Sequence, residues 1–291
     1  MRFAHLAQRL YNVPLAIHPA KAEVVIAALA ERLGITQIVR LNGSAVSPQL
    51  MFDADDDFSS PGANPRIGYD LVGGVAVIPV SGTLVQKLGS LRPWSGMTGY
   101  DGIRQNFLTA LADPNAQAIA FEIDSPGGEA AGAFDLVDTI YQSRGVKPIW
   151  AILNEGAYSA AYAIASAADR ITVPRTGGTG SIGVIAMHVD WSEALANAGT
   201  KVTFITYGNR KSDGAPELPL APEARQAFQD DINTMGELFV ATVARNRSLP
   251  PDQVRNTQAG TFLGASGVDA GLADAVQAPD AAFQALLDTL A

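Results

Sequence analysis

From residue 73 onward, short apolar runs alternate with stretches whose apolar residues recur at three and four. Residues 74–80, 116–123, 147–153, 170–173, 181–190 and 202–207 read as strands. Between them, residues 100–112 place Ile103, Phe107, Leu108 and Leu111 on one helical face, and residues 130–144 do the same with Phe134, Val137, Ile140 and Tyr141. Helices are also expected over 158–168, 192–198, 222–246 and 251–254. This alternation predicts an α/β fold whose sheet is largely parallel and covered on its faces by helices. No internal repeat of fixed period is visible.

The first 68 residues follow a different pattern. Leu6 and Leu10 suggest a short helix, and Pro14-Leu-Ala-Ile-His18 an extended piece. Val24, Val25, Ala28, Leu29 and Leu33 mark an amphipathic helix between Pro19 and Gly34. Residues 42–68 are rich in Gly, Pro, Ser and Asp, which is linker chemistry. The chain is therefore expected to divide into an extension with an acidic linker, 1–68, and a main domain, 69–291. The cluster Asp53, Asp55, Asp56, Asp57 lacks the spacing of a calcium loop and reads as solvated linker, so no metal is expected.

Composition narrows the chemistry. Hydrophobic residues make up 47% of the chain and charged ones 17%, enough for a substantial core. The formal net charge of −9 argues against binding nucleic acid or an anionic membrane surface. With no cysteine, disulfides and thiolate catalysis are excluded. Arg2, His5, Gln8 and Arg9 interrupt the first ten residues, which therefore do not form a secretory signal. No run of eighteen or more apolar residues occurs. The expectation is a soluble, cytoplasmic protein without a cofactor.

Candidate chemistry centres on Asn154-Glu-Gly-Ala-Tyr-Ser-Ala-Ala-Tyr162, which lies between a buried strand and an Ala-rich helix. A turn at Asn154 and Gly156 would bring Ser159 into the first turn of that helix, where the N–H groups and the dipole favour negative charge. The plainer alternative is a serine in a tightly packed helix start. A second feature is Asp124-Ser-Pro-Gly-Gly128, a strand-to-helix turn whose glycines allow close approach to the backbone N–H groups. It matches neither the Walker loop nor the dinucleotide fingerprint. Thr176-Gly-Gly-Thr-Gly-Ser-Ile-Gly183 presents Ser181 at the start of a strand. A serine nucleophile needs a base. His188, with Asp190 two positions on, would give a Ser159–His188–Asp190 triad. Lys211, in the loop Tyr207-Gly-Asn-Arg-Lys-Ser212, is the alternative, provided burial disfavours its charged form.

Taken in order, these segments resemble peptidase family S49, the signal peptide peptidase A-like serine peptidases. The matching segments are Val75-Ala-Val-Ile-Pro-Val-Ser-Gly-Thr83, Asp124-Ser-Pro-Gly-Gly128, Gly156-Ala-Tyr-Ser-Ala-Ala-Tyr162 and Gly180-Ser-Ile-Gly-Val184. The loop with Lys211 and the stretch Thr261-Phe-Leu-Gly-Ala-Ser-Gly-Val-Asp-Ala-Gly-Leu-Ala-Asp274 continue the likeness. The resemblance implies a Clp protease/crotonase-like fold of repeated β-β-α units. It also implies a Ser159–Lys211 dyad, with Ser181 orienting the lysine. The oxyanion hole would come from Gly128 and Ala160, supported by Gly127. The chain departs from the membrane enzymes at Ala160-Ala161, where those have Gly-Gly. Its opening, His5-Leu-Ala-Gln-Arg-Leu-Tyr-Asn-Val-Pro-Leu-Ala-Ile-His-Pro19, resembles the phage and prophage members of the family. Those are capsid assembly (prohead) proteases that cleave scaffold and head proteins. Some carry a scaffold segment after the protease, and little chain follows Ala278 here.

The implied partners are peptide or protein substrates, bound as an added strand near Gly82 and the 126–128 turn, and further copies of the same chain. Other functions remain open on the same fold. These are a peptide-degrading housekeeping enzyme, an acyl-CoA enzyme using Glu129, and a non-catalytic assembly protein.

Overall fold

The computed structural model describes residues 13–18, 38–39, 45–46 and 67–290. The expected helix over 19–33 lies outside these residues. So do His5 and the acidic cluster at 53–57. Among the described residues, β1 (Leu15–Ile17) is the extended piece expected after Pro14. β2 (Ile38–Val39) and β3 (Ala45–Val46) pair antiparallel with each other.

The main sheet is built from β4 (Asp70–Val72), β5 (Val75–Ser81), β8 (Ala118–Ser125), β10 (Ile149–Ala157) and β11 (Arg170–Val173). β5, β8, β10 and β11 run parallel, and β4 closes one edge antiparallel to β5. β12 (Gly178–Gly180), β13 (Thr261–Leu263) and β14 (Ala275–Val276) extend the other side. β8 and β10 are almost continuously apolar because both faces of the sheet are covered. On one face lie α1 (Tyr100–Ala112), α2 (Ala133–Gln142), α3 (Ala160–Ser166) and α5 (Pro222–Arg247), which enclose Ile78, Phe107, Phe121, Leu136 and Phe239. On the other, α8 (Pro279–Asp288) places Ala282 and Leu286 against Val75, Ala118, Trp150 and Ile152.

A second, smaller sheet stands over the ends of these strands. It contains β6 (Thr83–Val85), β7 (Met97–Gly99) and β9 (Gly127–Glu129), in the order β1-β9-β6-β7. The chain thus repeats a unit of main-sheet strand, small-sheet strand and helix: β5–β6/β7–α1, then β8–β9–α2. The expected mostly parallel α/β class is what forms. α4 (Ser192–Asn197), α6 (Pro251–Arg255) and α7 (Ala265–Asp269) are short connecting helices. Among the described residues, no helix is long and apolar enough to cross a membrane.

Several elements differ from expectation. The run 181–190 forms no strand beyond a single bridge from Ile185 to Leu15. The run 202–207 also forms none, and leaves Ile205 and Tyr207 fully exposed, at 97% and 102%. Its apolar alternation is strand-like, but no strand among the described residues takes up its N–H and C=O groups. In α1, Leu108 faces solvent and Ala110 lies inside in its place. Asn154–Gly156 is not the turn: β10 runs on to Ala157, with a shift of register after Leu153.

Candidate active site

Ser159 lies at the junction of β10 and α3, with φ 55° and ψ −121°. That backbone conformation is strained for a residue with a Cβ, at a cost of about 1–3 kcal/mol. It belongs to a sharp strand-to-helix turn of the kind that presents a nucleophile, although the flanking residues are not Gly-x-Ser-x-Gly. Ser159 stands at the N-cap position, yet its hydroxyl makes no capping bond. Instead Oγ donates a long hydrogen bond, 3.4 Å, to the Gly183 carbonyl. The backbone is fixed from several sides: Ser159 N–H donates to Gly180 O at 2.9 Å, and Tyr158 N–H to Ser125 O at 3.0 Å. The plainer reading, a serine at a tightly packed helix start, describes the same position: Ser159 is fully buried at the N-cap of α3, with its hydroxyl making no capping bond.

The glycine turn lies directly beside it. Gly127 has φ +93°, and a Cβ there would collide with the Ala16 carbonyl and come within 3.0 Å of Ala160 N. At Gly128 a Cβ would collide with the backbone of Leu84 in β6. Each glycine is therefore required for a different close approach. Ala160 opens α3, so its N–H has no carbonyl a turn earlier within the helix. Gly127 thus lies against the Tyr158 carbonyl and the Ala160 N–H that flank Ser159, while Gly128, next in the chain, packs on β6.

Ser125 is a contributor that the sequence did not single out. Its buried Oγ donates to Gly82 O at 2.6 Å and accepts from Gly127 N–H at 3.2 Å. It ties the glycine turn to the end of β5. A serine before Pro-Gly-Gly looks like ordinary turn composition, and only the fold reveals this partner.

Ser181 is buried, with φ +54°, and donates its N–H to Gly260 O at 2.8 Å. The segment after it lies beside the serine through Gly183. Lys211 is not brought to Ser159 in the single chain. It is exposed in a turn where its backbone N–H donates to Gly208 O. His188 lines a separate cavity of about 390 Å3 with Met187, Leu220, Arg225 and Phe228. Asp190 is held by Ser192, whose side-chain and backbone hydrogen bonds keep its carboxyl below the ordinary range, helped by His188. Glu129 accepts from Gln86 N–H at the far end of β9.

Tyr158 shields the turn. Its ring fills the space where side chains on Gly156 and Gly178 would lie. Burial raises its hydroxyl above the ordinary tyrosine range, with Glu155 and Asp124 adding to the effect. Beneath the serine, α3 is wholly buried, and Tyr162 donates to Leu272 O at 2.9 Å. At its other end Arg144 gathers the Ser166, Ala167 and Ala168 carbonyls at 2.7–2.9 Å.

The model of peptidase family S49 matches residues 142–290. The head-tail preconnector protein GP5 of Enterobacteria phage P21 is 42% identical over 93% of this chain and 54% of its own length. The capsid assembly protease C of Escherichia phage lambda is 37% identical over 98% of this chain and 66% of its own length. The chain thus spans between half and two thirds of these phage relatives. A mutant form of ClpP1 from Listeria monocytogenes overlaps 69% of this chain and 90% of its own, with a TM-score of 0.43 at 12% identity. With the family model covering half of its length, the chain belongs to peptidase family S49.

Proposed function

We propose that the chain is a serine endopeptidase of phage head maturation, with Ser159 as nucleophile and Lys211 as general base. The observation that carries this is the strained, uncapped Ser159 beside the Gly127–Gly128 turn. Ser159 Oγ would attack the peptide carbonyl carbon as the Lys211 amine takes its proton. The carbonyl oxygen, now negative, would accept the N–H groups of Gly128 and Ala160. As the C–N bond breaks, the proton passes from Lys211 to the leaving amine. Water, deprotonated in turn by Lys211, then hydrolyses the acyl-Ser159 ester.

The lysine must be uncharged when it acts, so it must leave water. In the single chain its loop is exposed and follows the uncovered apolar stretch 202–207. Assembly of several copies that covers this stretch would desolvate the loop, and a homo-oligomer is part of the proposal. The phage relatives are named a head-tail preconnector protein and a capsid assembly protease, which supports capsid proteins, and with them scaffold, as the proposed substrates.

Separate Lys211→Ala and His188→Ala variants test the base, with cleavage of scaffold protein or casein as the readout. We expect the lysine variant to lose activity by about 10^3-fold or more and the histidine variant to keep it. Full activity in Lys211→Ala with loss in His188→Ala contradicts the dyad.

A further inference from the structure

Ser159 has no exposed surface, and the chain's own residues 15–17 lie along the glycine turn beside it. β1 lies antiparallel to β9 in the register Leu15↔Glu129, Ala16↔Gly128, Ile17↔Gly127. Ala130 N–H donates to Pro14 O, and His18 N–H to Pro126 O at 2.7 Å. Bonded pairs alternate along an antiparallel ladder, so the pair between them, Ala16 and Gly128, is also bonded. The Gly128 N–H, an oxyanion donor in the reading above, is thereby given to the Ala16 carbonyl. That carbonyl also lies against the Cα of Gly127, on the side where Ala160 N approaches.

The other edge of β1 is paired as well. Leu15 exchanges two hydrogen bonds with Ile185, at 2.8 and 2.9 Å, just beyond the Gly183 that contacts Ser159 Oγ. Residues 14–18 thus form the middle strand between the glycine turn and the segment after Ser181. Pro14, Ala16 and His18 share one face by the two-residue period. The His18 ring lies 5.2 Å from that of Tyr158, the neighbour of Ser159. Ala16 is wholly buried. Upstream of Pro14 the cleft opens into a cavity of about 460 Å3, lined by Phe134, Met235 and Leu238 and rimmed by Gln86, Glu129 and Asp135.

We propose that residues 13–18 fill this chain's own peptide-binding cleft as a substrate mimic, with the Ala16 carbonyl at the oxyanion donors and the Ala16–Ile17 bond facing Ser159. The proposal rests on the peptidase reading and deepens it in two ways. First, the cleft takes an extended segment with a small residue at the position of Ala16 and aliphatic residues on either side. Second, the site is closed until this strand is displaced, so any substrate competes with it.

The test reads binding in a chain without the nucleophile, so it stands apart from whether Ser159 is catalytic, which probe labelling decides. The probe is a fluorescent peptide, Val-Pro-Leu-Ala-Ile-His, followed by anisotropy. It is titrated into the full Ser159→Ala chain and into the same chain carrying Leu15→Asp and Ile17→Asp. A strand docked most of the time reduces apparent affinity by the fraction of open cleft, so binding should be tighter in the second chain by about ten-fold or more. The peptide carrying Ala16→Trp should bind that chain weakly. Equal affinity for both chains overturns the proposal, as does no binding to a displaced chain that still unfolds cooperatively. If the aspartates prevent folding, hydrogen exchange in the Ser159→Ala chain decides. Saturating peptide should speed exchange at the Leu15 and His18 amides, and unchanged exchange there overturns the proposal.

Discussion

At the residue scale the site depends on backbone conformations that only particular residues tolerate. Ser159 keeps φ at 55° because its neighbours hold it there through the Gly180 and Ser125 carbonyls. Removing its hydroxyl should leave the fold intact: Ser159→Ala is expected to lose peptidase activity by about 10^4-fold or more, with the thermal midpoint nearly unchanged. A large fall in that midpoint would recast the residue as structural. Gly128 behaves oppositely. Gly128→Ala drives a methyl into the Leu84 backbone and should cost about 1–3 kcal/mol of stability as well as activity, read by denaturant unfolding and substrate cleavage. The chemistry of these residues was legible in the sequence as a serine between strand and helix and a Pro-Gly-Gly turn. Their conformations were not, because φ at Ser159 is set by partners distant in the chain. Ser125 escaped for the same reason.

At the scale of elements, α3 is a short Ala-rich helix held by contacts from outside itself. Arg144 takes its last carbonyls, and Tyr162 fastens it to Leu272. Tyr162→Phe leaves a buried carbonyl without its donor and should cost about 1–3 kcal/mol in chemical denaturation. An unchanged midpoint would mean that the hydroxyl contributes little. The segment ending at Asp274 anchors the neighbouring strand: its carboxylate accepts from Ile171 N–H and pairs with Arg247. Burial opposes its charge, but Arg247 and the Ile171 N–H outweigh that and hold its carboxyl below the ordinary 3.8. A lowered carboxyl stabilises the fold fully above the ordinary value and loses that effect as pH falls through the folded one. Acid unfolding should therefore show a contribution from Asp274 below about pH 4 that is absent in Asp274→Asn. The helices and central strands were readable from period and length. The strands expected at 181–190 and 202–207 were not realised, because apolar alternation identifies a surface suited to pairing and says nothing of whether a partner strand is present. β6, β9 and β12 are too short to show any period, and two of them are largely glycine.

At the scale of the whole molecule, two features belong together: a fully buried Ser159, proposed above to be closed off by β1, and a lysine loop exposed beside an uncovered apolar stretch. Both fit an enzyme inactive as a free chain and completed by assembly. Covering Ile205 and Tyr207 removes a large apolar surface from water, a strong reason for copies to associate. Ile205→Asp should lower the assembly mass measured by light scattering and reduce peptidase activity in parallel. A full-size assembly with full activity would place the interface elsewhere.

We propose that Ser159 is an activated nucleophile. Its most direct test is a fluorophosphonate probe applied to the chain with and without Leu15→Asp and Ile17→Asp, with the adduct located by peptide mass spectrometry. A single adduct on Ser159 is expected, formed faster when β1 is displaced. A folded, assembled chain that yields no adduct in either form, or yields it on another residue, contradicts it.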